Sequence, residues 1–137
     1  MGKSCEQKPL IRLRRLKKTF GNERQVFRSL SFDVHEGEFI YIAGPSGAGK
    51  STLLKMLYRA QAPDRGEITF CGRDLTRLSR DSIPFLRRNI GVVFQDFRLL
   101  QDRSAQENVA LALEVLGMRR REINARVLYV LDRVGLK

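Results

Sequence analysis

Residues 39–52 read FIYIAGPSGAGKST: a continuous apolar run, then a stretch with three glycines, then Lys50-Ser51-Thr52. The unbroken run from Phe39 to Ala43 predicts a strand buried on both faces. After the glycines, KSTLLKMLYRA carries Leu53, Leu54, Leu57 and Tyr58 at helical spacing. A strand, then G-x-x-x-x-G-K-S, then a helix is the setting in which backbone N–H groups cradle phosphate. Gly44, Gly47 and Gly49 let the chain bend without Cβ clashes and come close to phosphate oxygens. The helix starting near Gly49 adds the positive end of its dipole. Lys50 reaches β- and γ-phosphates as a point charge, Ser51 offers a hydroxyl to Mg²⁺, and Thr52 adds a further hydrogen bond. Pro45, Ser46 and Ala48 complete the wrapping loop. With glycine at roughly 7% of residues, an accidental match in a chain this long is on the order of one in a few hundred. The loop is therefore expected to hold the phosphates of a nucleotide.

Upstream, LIRLRRL sets Ile11 and Leu13 against Arg12 and Arg14, the period-2 pattern of a strand. GNERQ reads as a turn, and Leu30, Phe32 and Val34 alternate with Ser29, Ser31 and Asp33 in a second half-buried strand. His35 falls at the following turn, Glu36-Gly37. Downstream, Ala62-Pro63-Asp64-Arg65-Gly66 ends the helix, and EITFCG resumes period 2 through Ile68 and Phe70. Residues 73–89 are polar and basic, with Pro84 expected to break the middle; IGVVF, 90–94, predicts a short strand. Ser104 and Glu107 form a capping box before VALALEVL. Ile123, Val127, Val130, Leu131 and Val134 make an amphipathic stripe that Gly135 is placed to end.

The chain has 137 residues, 42% hydrophobic and 30% charged, which predicts one soluble, globular domain. No apolar stretch approaches the ~18–20 residues that span a bilayer. MGKSCEQKPL has no secretory apolar core, and Glu6 stands where a myristoylation motif wants Ser or Thr, so a cytoplasmic location is expected. Cys5 and Cys71 belong to no C-x-x-C pair, and His35 is the lone histidine, so no metal cluster is expected. Lysine and arginine number 26 against 15 acidic residues, a net charge of +11. That balance suits phosphate ligands, nucleic acid or an anionic membrane face. Nucleic-acid binding is set aside for want of a recognition helix, a zinc pattern or an aromatic stacking motif.

Gln95 follows IGVVF directly. Here the chain resembles the nucleotide-binding domains of ABC ATPases, whose Q-loop glutamine ends a strand downstream of a P-loop of the type GPSGAGKST. GEITFCGRDL after the helix and the aromatic Phe20 resemble the same family. IPFLRRNIGVVFQDFRLLQDRSAQENVALALEVLG and RVLYVLDRVGLK resemble its cell-division branch, the FtsE type, although ATPases for lipoprotein or drug export come near. The resemblance covers residues 10 to 137. It implies an α/β P-loop NTPase fold, a RecA-like core plus an antiparallel β-subdomain. Residues 1–9 would be a polar tail, 10–96 β-subdomain and P-loop core elements, and 97–137 the start of the helical subdomain. It further implies that residues 44–52 bind MgATP with Lys50 and Ser51 in the roles above, and that Phe20 stacks on adenine. Gln95 would contact Mg²⁺ and the attacking water and sense a membrane partner, an FtsX-like subunit, with residues 97–117 near it. The full-length form would be a homodimer, peripheral on the inner face of the cell membrane.

The family also requires an LSGGQ-type signature, a Walker B strand ending in Asp-Glu and a switch histidine, and this sequence has none of the three. The chain ends at VGLK, ahead of where the signature falls, so the expectation is an N-terminal portion truncated before the signature motif. Phosphoryl transfer depends on positioned charges around the γ-phosphate. The chain is accordingly expected to bind MgATP weakly or not at all and not to hydrolyse it. A non-catalytic remnant is the alternative reading.

Overall fold

A computed structural model describes residues 8–21 and 24–136. Cys5, Glu6, most of the tail and the middle of the GNERQ turn lie outside the described residues. The chain divides into two compact units, Met1–Ile90 and Gly91–Lys137.

The first unit is built on an antiparallel sheet of β1 (Ile11–Phe20), β2 (Arg24–Val34), β3 (Arg65–Phe70) and β4 (Arg73–Asp74), in the order β2-β1-β3-β4. Strict alternation along IRLRRL would send Leu13 and Leu16 to opposite faces. A bulge between them, with Arg15 at φ 48°, restores the phase, and both leucines are fully buried. The ladder to β3 shifts at the same place, where the carbonyls of Arg14 and Arg15 come so close to Gly66 that a Cβ there would sit 2.5–2.6 Å from them. On the face opposite Leu13, Asp33 of β2 accepts from Arg14 at 2.9 Å and pairs with Arg12, its register partner. α1 (Lys50–Leu57) lays Leu53 and Met56 onto Leu13, Leu16 and Ile68, and Leu75 and Leu86 close the core. Met56 takes the buried place expected for Leu54, which is 50% exposed, while Leu57 packs half-buried against the core.

Three expectations are corrected. Residues 38–43 and 90–94 form no strand. Phe39, Tyr41 and Val93 are 89%, 84% and 99% exposed. A strand owes its stability to a ladder on a neighbour, and among the described residues no segment pairs with either run. Pro84 does not break residues 73–89. It sits in the first turn of α2 (Ile83–Arg87), where a missing N–H costs no helical bond.

The second unit contains α3 (Ala105–Val115) and α4 (Arg120–Arg133), packed through Val109, Ala110 and Leu113 against Ile123, Val127 and Leu131. The capping box is formed: Ser104 N–H donates to Glu107 Oε2 at 2.8 Å, and Ser104 Oγ accepts from Glu107 N–H at 3.3 Å. Both helices end in a Schellman motif, with Leu136 N–H donating to Leu131 C=O at 2.9 Å and Met118 N–H to Leu113 C=O at 3.2 Å. Val130 and Val134 stand 43% and 64% exposed, so the buried stripe is narrower than predicted.

Candidate functional site

The phosphate loop joins the open 39–43 segment to α1. Gly44, Gly47 and Gly49 all have positive φ, and Gly49, at φ 99°, is the N-cap of α1. A Cβ on Gly49 would fall 2.2 Å from Val26 Cγ1 and 3.0 Å from two atoms of the Phe27 ring. β2 therefore seats the loop, and only glycine permits that approach. Ala48 N–H closes a turn onto Pro45 C=O at 3.2 Å. The first intrahelical bond runs from Leu53 N–H to Gly49 C=O, 2.9 Å, so the N–H groups of Lys50, Ser51 and Thr52 precede the ladder, as a phosphate cradle requires.

Lys50 folds back over this loop. Its Nζ donates to Gly44 C=O at 2.7 Å and to Pro45 C=O at 2.8 Å. The ammonium thus sits across the loop mouth on two acceptors that an anionic ligand can replace with stronger, charged ones. Ser51, the next residue, is exposed and carries a hydroxyl suited to Mg²⁺ beside a phosphate. A cavity of about 390 Å³ under the loop is lined by Leu30, Phe32, Ile40, Ile42 and Leu53 as well as Lys50. Its apolar wall suits no triphosphate.

Phe20 closes β1 at 37% exposure. Two residues before it, Lys18 is the register partner of Phe27, whose ring lies against Gly49. At about 3.4 Å per residue, Phe20 lies about 7 Å along β1 from the position opposite Phe27. The fold thus brings Phe20 and residues 44–52 to one end of the first unit. The Lys18 ammonium lies 5.3 Å from the Phe20 ring centroid and 2.8 Å from Asp64 Oδ1. Asp64 also accepts from Thr19 N–H at 2.7 Å. The Lys18 hydrogen bond, then the Thr19 N–H, hold the Asp64 carboxyl below its usual range. Sequence reading missed Lys18 and Asp64, which are joined only by tertiary folding.

Gln95 belongs to the second unit, where it is exposed in the turn Gln95-Asp96 rather than ending a strand. Beside it, the Arg98 guanidinium stacks 3.9 Å from the Phe94 ring centroid and pairs with Asp96 at 3.4 Å. Asn108 of α3 fixes the loop beyond: its amide donates to the carbonyls of Leu100, Arg103 and Ser104 and its oxygen accepts from Leu100 N–H at 2.8 Å. No group of His, Cys, Asp and Glu side chains among the described residues is arranged to hold a metal. No helix of the described residues is long and apolar enough to cross a membrane.

The chain is 48% identical over 128 residues to the cell division ATP-binding protein FtsE of Bacillus subtilis, covering 93% of this chain and 56% of that protein. It is 43% identical over 127 residues to FtsE of Escherichia coli K12, covering 93% and 57%. Its fold matches the dimeric ATP-binding cassette MJ0796, solved bound to ADP and Pi, with a TM-score of 0.82 at 34% identity, over 93% of this chain and 58% of that one. The chain thus spans just over half the length of the relatives it matches. The ABC transporter family model matches residues 27–137, from the strand that seats the loop to the last residue. The chain belongs to the ABC transporter family of ATP-binding cassettes.

Proposed function

We propose that the chain carries the nucleotide-holding part of an FtsE-type ABC ATPase, and that it binds MgATP weakly. The observation that carries this reading is the loop itself, with Lys50 folded over the mouth of a cradle that opens α1. On binding, Lys50 exchanges the Gly44 and Pro45 carbonyls for β- and γ-phosphate oxygens. The N–H groups at the start of α1 face the phosphates, Ser51 and Thr52 supply hydroxyls, and Phe20 stacks on adenine. Ser51 would be the side chain of the first unit to hold Mg²⁺, which would supply positive charge to the phosphates. Similarity to FtsE supports a role in which Gln95 and residues 97–117 meet an FtsX-type membrane subunit, on the inner face of the membrane, within a homodimer of the full-length form. Residues 10–96 are read as β-subdomain and P-loop core, and 97–137 as the opening of the helical subdomain.

An NMR titration of the chain with MgATP tests the site, because it reads weak binding residue by residue. Amide shifts are expected at Gly44–Thr52 and at Phe20, and Lys50→Ala is expected to abolish those in the loop. Shifts that survive in the variant would remove Lys50 from the site. Phosphate release is expected to be no faster than in Lys50→Ala, since transition-state stabilisation needs charges beyond one lysine. Steady release lost in the variant would show that the chain is an ATPase by itself.

A further inference from the structure

One residue grips the three positions that precede Phe20. Asp64, in the connection between α1 and β3, donates its N–H to Lys17 C=O at 2.9 Å. Its Oδ1 accepts from Lys18 Nζ at 2.8 Å and its Oδ2 from Thr19 N–H at 2.7 Å. Lys18 gives a further bond to Ala62 C=O at 2.9 Å, and only 16% of its side chain is exposed. That anchored ammonium lies over the Phe20 ring, 5.3 Å from its centroid. A cation held on one face leaves the other for a flat partner. An aromatic at the end of a strand otherwise loses freedom when a ligand stacks on it, and ordering it beforehand lowers that cost.

We propose that Asp64, acting through Lys18 and Thr19, is a positioning residue that sets the Phe20 ring for the nucleotide base. The inference rests on the reading of Phe20 given above. Asp64 itself touches no nucleotide, so its removal acts on the base and not on the phosphates. Ion pair and backbone bond work together: the carboxylate fixes the strand end through Thr19 and the ring through Lys18.

The test compares MgATP with magnesium tripolyphosphate, which has the phosphates without the base, by NMR titration of the 137-residue chain. Phe20→Ala is expected to weaken MgATP by about fivefold or more, the scale of one lost base stack, with tripolyphosphate unchanged. Asp64→Ala is expected to weaken MgATP by about threefold or more through lost preorganisation, again with tripolyphosphate unchanged. Lys18→Met approaches the clasp from the other side and is expected to give the same base-selective loss; it serves where Asp64→Ala fails to fold. If Phe20→Ala is base-selective but Asp64→Ala and Lys18→Met weaken both ligands alike or neither, the positioning role is overturned and Phe20 keeps its assignment. If Phe20→Ala leaves the ratio of the two affinities unchanged, the stacking role of Phe20 fails and the inference falls with it.

Discussion

Gly49 bears two constraints at once, a left-handed backbone at φ 99° and a wall of β2 side chains 2.2 Å from where a Cβ would stand. Either alone disfavours alanine. Together they predict that Gly49→Ala destabilises the first unit by about 1–3 kcal/mol, the scale of backbone strain plus overpacking. Denaturant unfolding measures it. Adding Val26→Ala should restore part of the loss, since it removes the 2.2 Å contact but neither the Phe27 ring contacts nor the strain; full restoration would mean that φ and the Phe27 contacts cost nothing here. This residue was legible in the sequence because its motif is local: spacing, helix start and lysine all lie within nine positions of Gly44. The clasp on Phe20 was not legible. Lys18 and Asp64 meet only once β1 and the turn before β3 are brought together, and neither belongs to a pattern at short range. The bulge at Arg15 is an intermediate case. LRRL holds the clue, since its leucines fall out of phase, but only the ladder reveals which residue is squeezed out.

Among the elements, those closed by local chemistry formed where the sequence put them. Ser104-x-x-Glu107 capped α3, and Ile123, Val127 and Leu131 turned inward on α4. FIYIA and IGVVF carry equally strong strand composition and did not pair, because a strand's partner lies outside the strand. The capping box makes a prediction in pH. Bonds from the Ser104 N–H and then its hydroxyl hold the Glu107 carboxyl below its ordinary value of 4.5. A carboxyl whose pKa is lowered by folding contributes stability above its unfolded pKa and loses it as pH falls through the folded one. The α3 N-terminus is therefore expected to stay capped at pH 4.5 and to fray only below it, as read from amide exchange at Glu107 and Asn108. Glu107→Gln can still close the box, so the variant should keep the cap and lose the pH dependence. A Glu107 titration centred at or above 4.5 would contradict the assignment.

At the scale of the whole molecule, two tendencies oppose each other. Phe39, Tyr41 and Val93 expose apolar side chains on segments whose backbone is unpaired among the described residues, the arrangement that recruits another chain. A net charge of +11 pushes copies apart. Salt decides which wins. Raising ionic strength shortens the screening distance from ~30 Å at 0.01 M to ~10 Å at 0.1 M, while the apolar attraction is not weakened. The chain is thus expected to sediment as a monomer at low salt and to associate as salt is raised. Tyr41→Lys combined with Val93→Lys should move that onset to higher salt by adding charge where the apolar surface lies. Binding of nucleic acid to the same basic chain would run the other way, falling with salt as counterions compete. An association that weakens as salt is added would mean that charge, and not these two exposed runs, brings the copies together.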